Sequence, residues 1–200
     1  MGCSGPRLTA IKGWGSAVHT LRSYRRRAMS RFVPHRHLWS PARLSSADLH
    51  ALLHTAAALD RAKQPNHGWR PLDGRHVALL CNCADDTALS FQRAVHGLGG
   101  TVALLDANDW LSSAFERVPD AARMLGRFYN AIDCCDLPAP LVEQIEAHSG
   151  VPVFNGLAWP EHPLRQLIVK ARAAHGALPA VPLEDEPLLA LQALIVCGVP

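Results

Sequence analysis

"RHVALLCNCADDTALSFQRAVHGLGG", Arg75 to Gly100, decides the fold. It opens as a short continuous apolar run, the pattern of a strand buried on both faces. It continues with apolar residues at helical spacing and closes on Gly99-Gly100, a residue type that ends helices. A buried strand feeding a helix is the first half of a βαβ unit. The turn between them is where an α/β protein places an anion, because the first helix amides are unpaired and partly positive. Yet this turn holds Asp85 and Asp86, and no Arg, Lys or Gly.

The pattern repeats on both sides of this stretch. Downstream come "TVALLDA" (strand), "VPDAARMLGRFY" (helix), "NAIDCCD" (strand), "PAPLVEQIEAHSG" (helix), "VPVFNGL" (strand) and "EHPLRQLIVKARAAHG" (helix). Upstream, "SSADLHALLHTAAALDRAK" predicts an amphipathic helix with Ser46 as N-cap and Leu49, Leu52, Leu53, Ala56 and Ala57 on its apolar face. A proline-rich linker, "ALPAVPLEDE", leads to a very apolar final helix, "PLLALQALIVCGV". Strands alternating with helices predict an α/β fold: a four-stranded parallel sheet with helices on both faces. The expected division is a basic, disordered extension over 1–35, a domain over 36–176, a linker over 177–183 and a helix over 184–200 that packs back on the domain.

Two hundred residues with 48% hydrophobic content suit one globular domain with a tail. No apolar run approaches the roughly 18 residues of a membrane span, so no membrane partner is expected. Six cysteines, two adjacent and two flanking one residue, are unlike a secreted disulfide framework and point to a reducing, cytoplasmic setting. The net charge of +3 hides an asymmetry. Residues 1–47 hold nine basic and no acidic residues, while 48–200 hold eleven basic and seventeen acidic, a net of −6. Three readings of the basic head stay open: a mis-started extension with Met29 as the true start, a mitochondrial presequence, or a nucleic-acid arm. The acidic body argues against nucleic acid as the main partner.

At this level of detail "HLWSPARLSSADLHALL", "ALSFQRAVHGLGG", "DAARMLGRFYNAI", "AHSGVPVFNGL" and "EHP" follow one another in an order that resembles the carbamoyl-phosphate-binding domain of the carbamoyltransferases. The "NGL" is closer to the ornithine branch than to the aspartate branch. The resemblance covers about residues 36–176, and "LQALIVCGVP" is similar to the family's last helix, which returns from the second domain to the first. Between Gly176 and Glu184 almost nothing stands where the family has its amino-acid-binding domain.

The resemblance implies a site that needs no metal or cofactor. Family members hold carbamoyl phosphate with a Ser-Thr-Arg-Thr-Arg turn, an arginine after a later strand and a His-Pro-x-Gln motif. Arginines clamp the phosphate, and His and Gln orient the carbamoyl carbonyl. Here the turn falls on Ala84, Asp85, Asp86, Thr87 and Ala88, where Thr87 alone matches. The later arginine position is Cys135; His162 is kept, but the glutamine position is Arg165 and Gln166 comes one residue late. Three lost charge-assisted partners, at about 1.5–3 kcal/mol each, would remove about 5–9 kcal/mol of binding. Asp85 and Asp86 add repulsion towards a dianion while suiting the helix end themselves.

The expected function is therefore a degenerate, non-catalytic carbamoyltransferase relative acting as a structural or regulatory module. The implied partners are a homotrimer or a mixed trimer with an intact paralogue, with carbamoyl phosphate binding weak or absent. The alternative is a protein for another small anion or metabolite, or a residual transferase, with a pocket repurposed around His162, Arg165 and Cys135. Zinc at Cys81, Cys83, Asp85, Cys135 and His162 has the ligand types but not the spacing of a structural site. A Cys135–His162 nucleophile pair lacks a third orienting group. Glu116 matches a carboxylate that supports one lost arginine, and His35, His37, His50 and His54 read as surface histidines.

Overall fold

Side-chain alternation along His76–Cys81 (β1) places this strand in the middle of the molecule. Val77 and Leu79 enter one apolar cluster, Ala78 and Leu80 another, and all four are completely buried. Such a strand needs neighbours on both edges and cover on both faces. Thr101–Asp106 (β2) pairs along one edge, from His76 opposite Thr101 to Cys81 opposite Asp106. Ala131–Cys134 (β3) pairs along the other, and Val153–Asn155 (β4) pairs with β3. Every pairing is parallel, in the order β2-β1-β3-β4. This computed structural model describes residues 32–62, 69–82, 85–108, 110, 117–174 and 185–200, with residue 85 described by its backbone alone. They belong to one compact unit, Arg31–Pro200.

Helices cover both faces, as the sequence predicts. Ser46–Ala62 (α1), Asp85–Gly97 (α2), Pro163–Ala174 (α5) and Glu186–Gly198 (α6) share one core with Val77, Leu79 and Ala131. Val118–Phe128 (α3) and Ala139–Ser149 (α4) cover the other, over Ala78, Leu80 and Ile132. Helix α6 is apolar almost all round because it is enclosed by α1, α2 and α5.

Four local expectations are corrected. The cap of α1 is Ser45, not Ser46. Ser45 Oγ accepts the Asp48 N–H at 3.1 Å and Asp48 Oδ2 accepts the Ser45 N–H at 3.0 Å, a reciprocal box that Ser46, with Leu49 three residues on, could not form. The buried stripe of α1 runs through Ala51, Leu52, Thr55, Ala56 and Leu59, leaving Leu49, Leu53 and Ala57 half-buried, because α5 and α6 both pack on that side. Val33, read as extension, is core: it is buried and its N–H donates to the Cys197 carbonyl at 3.0 Å. The segment after it, His35–Trp39, also docks, with the Trp39 indole donating to the Val153 carbonyl. His35 and His37 are accordingly half-buried and face Glu146 and Asp48, whereas His50 and His54 are exposed.

Candidate functional site

From β1 the chain steps outward to β2, then returns across β1 to β3. Successive crossovers leave in opposite directions there, so a crevice opens beyond the carboxyl ends of β1 and β3. Several residues that the sequence singles out arrive at it, and among the described residues Cys135, His162 and Arg165 do not turn their side chains to one point. After β1, Asn82 fastens neighbouring strand ends. Its Oδ1 accepts the Ala107 and Asn108 N–H groups at 3.0 and 3.1 Å, and its Nδ2 donates to Asn108 Oδ1 at 2.8 Å. In the first turn of α2, Asp86 is exposed, and Thr87 and Ala88 are buried. Cys83, Ala84, Glu116, the linker 177–183 and the extension before residue 32 lie outside the described residues, as does the side chain of Asp85.

Cys135 cannot take the role of an anion ligand or a nucleophile. It is fully buried in the core on the α1–α2–α5–α6 face, and its thiol donates weakly to Asp133 Oδ2 at 3.8 Å. Burial, then the charge of Asp133, pushes its pKa far above that of an ordinary thiol, so the thiolate is inaccessible. Among the described residues no group of three or more His, Cys, Asp or Glu is placed to hold a metal. Cys134, Cys135 and Cys197 are free thiols, and all three are buried.

Asp133, which sequence reasoning passed over, organises the site instead. It sits inside a four-residue strand whose every residue is buried. Its Oδ1 accepts the Leu157 N–H at 3.0 Å and its Oδ2 the Ala158 N–H at 2.7 Å. Burial raises its pKa to about 6 although those amides oppose the shift. The signal was present in "NAIDCCD": an acid in an apolar run needs a partner.

The loop that Asp133 holds leads to His162 and Arg165. His162 is buried; its Nδ1 accepts the Leu164 N–H at 3.4 Å and the Asn155 backbone is its other partner. Burial, reinforced by the nearby charge of Arg165, lowers its pKa to about 4, so the imidazole is neutral at pH 7. Arg165 is 3% exposed and turns inward. Nη1 donates to the Ala158 carbonyl at 3.1 Å, Nη2 to the Pro187 carbonyl at 3.3 Å, and Nε has no hydrogen-bond partner. Gln166 points out and donates to the Pro160 carbonyl at 3.5 Å.

Among the described residues a cleft of about 380 Å³ opens at the ends of β3 and β4. Asp136, Asn155, Trp159, Glu161 and His162 provide its polar and aromatic lining, and none of its described lining residues is Lys or Arg. Gly156 carries a φ of +78°, and a Cβ there would press on the Trp159 ring, so glycine lets the indole lie against the loop. Two exposed carboxylates and a neutral imidazole make this a poor seat for a dianion.

A family model described as "Aspartate/ornithine carbamoyltransferase, carbamoyl-P binding domain" matches residues 36–169. The chain belongs to this carbamoyltransferase family. Similar curated relatives are the ornithine carbamoyltransferases of Haemophilus influenzae strain PittGG and of Cutibacterium acnes, 31% and 34% identical over 136 residues. Each of these matches covers 68% of this chain, which spans 41% of either relative's length. Among solved structures, an ornithine carbamoyltransferase from Gloeobacter violaceus is 29% identical with a TM-score of 0.54, over 74% of this chain and 48% of that one. One from Pyrococcus furiosus, 22% identical, matches the fold with a TM-score of 0.58 over 69% of this chain and 45% of that one. The α/β architecture is thus that of the family's carbamoyl-P binding domain, and α6 lies beyond the matched span.

Proposed function

We propose that this chain is a non-catalytic relative of the ornithine carbamoyltransferases, a structural or regulatory module that oligomerises and does not transfer carbamoyl groups. The observation that carries this reading is the charge of the cleft. Asp136 and Glu161 line it, while Arg165 is buried with its guanidinium on two backbone carbonyls. The position that the family resemblance gives to a phosphate-binding arginine is a sealed thiol, Cys135. At the positions where the family resemblance implies guanidinium groups, carbamoyl phosphate meets the carboxylate of Asp86, the methyl of Ala88 and the sealed thiol of Cys135, so its binding is weak or absent. The module assembles as a homotrimer, or enters the trimer of an intact paralogue, in the cytoplasm.

The experiment is a thermal-shift titration with carbamoyl phosphate, inorganic phosphate and sulfate, paired with native mass spectrometry alone and with an intact ornithine carbamoyltransferase. No shift up to millimolar ligand, together with a trimer or mixed-trimer mass, is the expected result. A ligand at 100 times its Kd adds about 2.7 kcal/mol, so a specific carbamoyl phosphate shift would sink the reading. A second reading, a pocket repurposed for another small anion, has one observation in its favour: the buried Arg165 Nε–H lacks a partner. A shift with phosphate or sulfate that vanishes in Arg165→Met would establish it.

A further inference from the structure

The wall of the cleft and the C-terminal helix are joined by one line of buried polar contacts. Asp133 Oδ2 accepts the Ala158 N–H at 2.7 Å, and the Ala158 carbonyl accepts Arg165 Nη1–H at 3.1 Å. Arg165 Nη2–H then reaches the Pro187 carbonyl in the first turn of α6 at 3.3 Å. One residue earlier, Glu186 takes two hydrogen bonds from Arg172, which also donates to Asp60 on α1. Leu157 and Ala158 are flanked by Gly156 and Trp159, which line the cleft. The family match stops at residue 169, so the α6 end of this line lies outside it.

We propose that α6 is a strap that sets the shape of the cleft, with Arg165 as the positioning residue that couples them. Seating of the first turn of α6 and closure of the loop Gly156–Trp159 are a single event. Arg165 is almost completely buried and its Nε–H is already unmet. If the first turn of α6 leaves, Nη2 loses its acceptor as well, and a buried guanidinium with a further orphaned donor is strongly disfavoured. Relief comes when the guanidinium swings towards water, which withdraws Nη1 from the Ala158 carbonyl. That peptide then loses the donor that polarises it, and its N–H bond to Asp133 weakens. Loop opening acts in the reverse direction, by removing the acceptor of Nη1. Arg172 and Glu186 fix the register of α6 that keeps the Pro187 carbonyl within reach. Any molecule that prefers the open cleft therefore loosens α6, and any partner that lifts α6 opens the cleft by the same factor.

Native-state hydrogen exchange across a series of sub-denaturing urea concentrations tests this on the full chain. The reporters are the amides of Leu157 and Ala158 and those of Ala190 and Leu191, which close the first turn of α6. All four are expected to open as one unit with a shared urea dependence, below the urea needed to open α3 and α4. In Arg165→Met their exchange should rise together by about tenfold, the net contribution of one hydrogen bond, with α3 and α4 unchanged. Arg165→Lys, which keeps the charge but not the fork, should restore this partly. Separate opening of the two pairs in the unmodified protein would overturn the proposal, as would a variant effect confined to one pair. If Arg165→Met does not fold, the urea series on the unmodified protein decides alone.

Discussion

On one face of the sheet α3 and α4 cover an apolar cluster with no buried charge among the described residues, and the two helices approach so closely that a Cβ on Gly126 would overlap the Ser149 carbonyl. On the opposite face, the core under α1, α2, α5 and α6 also encloses Asp60, Asp133, Arg165, Arg172, Glu186 and Gln192. The first face is held by shape. The second is held by buried charges that find one another across elements far apart in sequence, as Arg172 and Asp60 do. Replacing such networks by apolar side chains is often neutral or stabilising, so their presence argues more for a fixed arrangement than for extra stability. The polar face is also the one from which α6 reaches the cleft loop, which is where a fixed arrangement has a use.

The largest break in that comparison is Arg172→Met. Arg172 is 5% exposed and holds both Glu186 oxygens, at 2.9 and 3.0 Å, and Asp60 Oδ2 at 3.0 Å. Removing it leaves the buried Glu186 carboxylate without its cation and takes one ion pair from Asp60, an expected loss of about 3–5 kcal/mol in urea unfolding. The double change Arg172→Met and Glu186→Leu should recover most of that loss. If the single variant costs under about 1 kcal/mol, the network behaves like a surface pair and the two faces do not differ as argued.

A second test uses pH. Asp133 has a folded pKa of about 6 against an ordinary 3.8, so the native state holds its proton more tightly. Its contribution is fully present below pH 3.8 and is lost as pH rises towards about 6, a change of about 3 kcal/mol. His162 works the other way, with a folded pKa of about 4 against 6.5: its contribution is present above 6.5 and is lost as pH falls towards 4. The two slopes nearly cancel between pH 4 and 6. In Asp133→Asn the histidine slope is exposed, and stability should fall steeply on acidification. In His162→Gln the opposite slope should appear. Asp48 and Glu146, both held below the usual carboxylate range, contribute to every variant alike, so differences between variants isolate the pair. Parallel pH profiles in all three proteins would show that neither group is buried as described.

Much of the apolar framework was legible because it rests on periodicity. Val77 to Leu80 read as a doubly buried strand and "PLLALQALIVCGV" as an enclosed helix without knowledge of any neighbour. The polar face was not, since its partners are set by tertiary contacts. Nothing near Arg165 in sequence indicates that its head would meet Pro187, 22 residues on, and nothing near Asp60 points to Arg172, 112 residues away. For the site, the replacement of arginine positions by Asp86 and Cys135 was visible once the resemblance fixed the register. That Cys135 would turn into the core required the strand's phase, and "IDCCD" could be read in either. Asp133 was the missed clue, an acid whose cost inside a strand could have been noticed at once.

The smallest expected effect tests the apolar face by itself. On an isolated helix Gly126→Ala would stabilise by about 1 kcal/mol, because glycine loses more backbone freedom than alanine on folding. Within α3 the new methyl would lie on the Ser149 carbonyl of α4, which is backbone and cannot rotate away. The helices must separate, and overpacking of this kind costs about 1–3 kcal/mol, more than the propensity gain. Urea unfolding should therefore show a net loss with an unchanged m-value, insensitive to salt and to pH between 4 and 8. The same change should leave the Leu157 and Ala158 amides protected, since the line from Asp133 to α6 runs on the other side of the sheet. A net gain in stability would mean that α3 and α4 do not touch at this point, and the contrast between a face held by shape and a face held by charge would lose its first half.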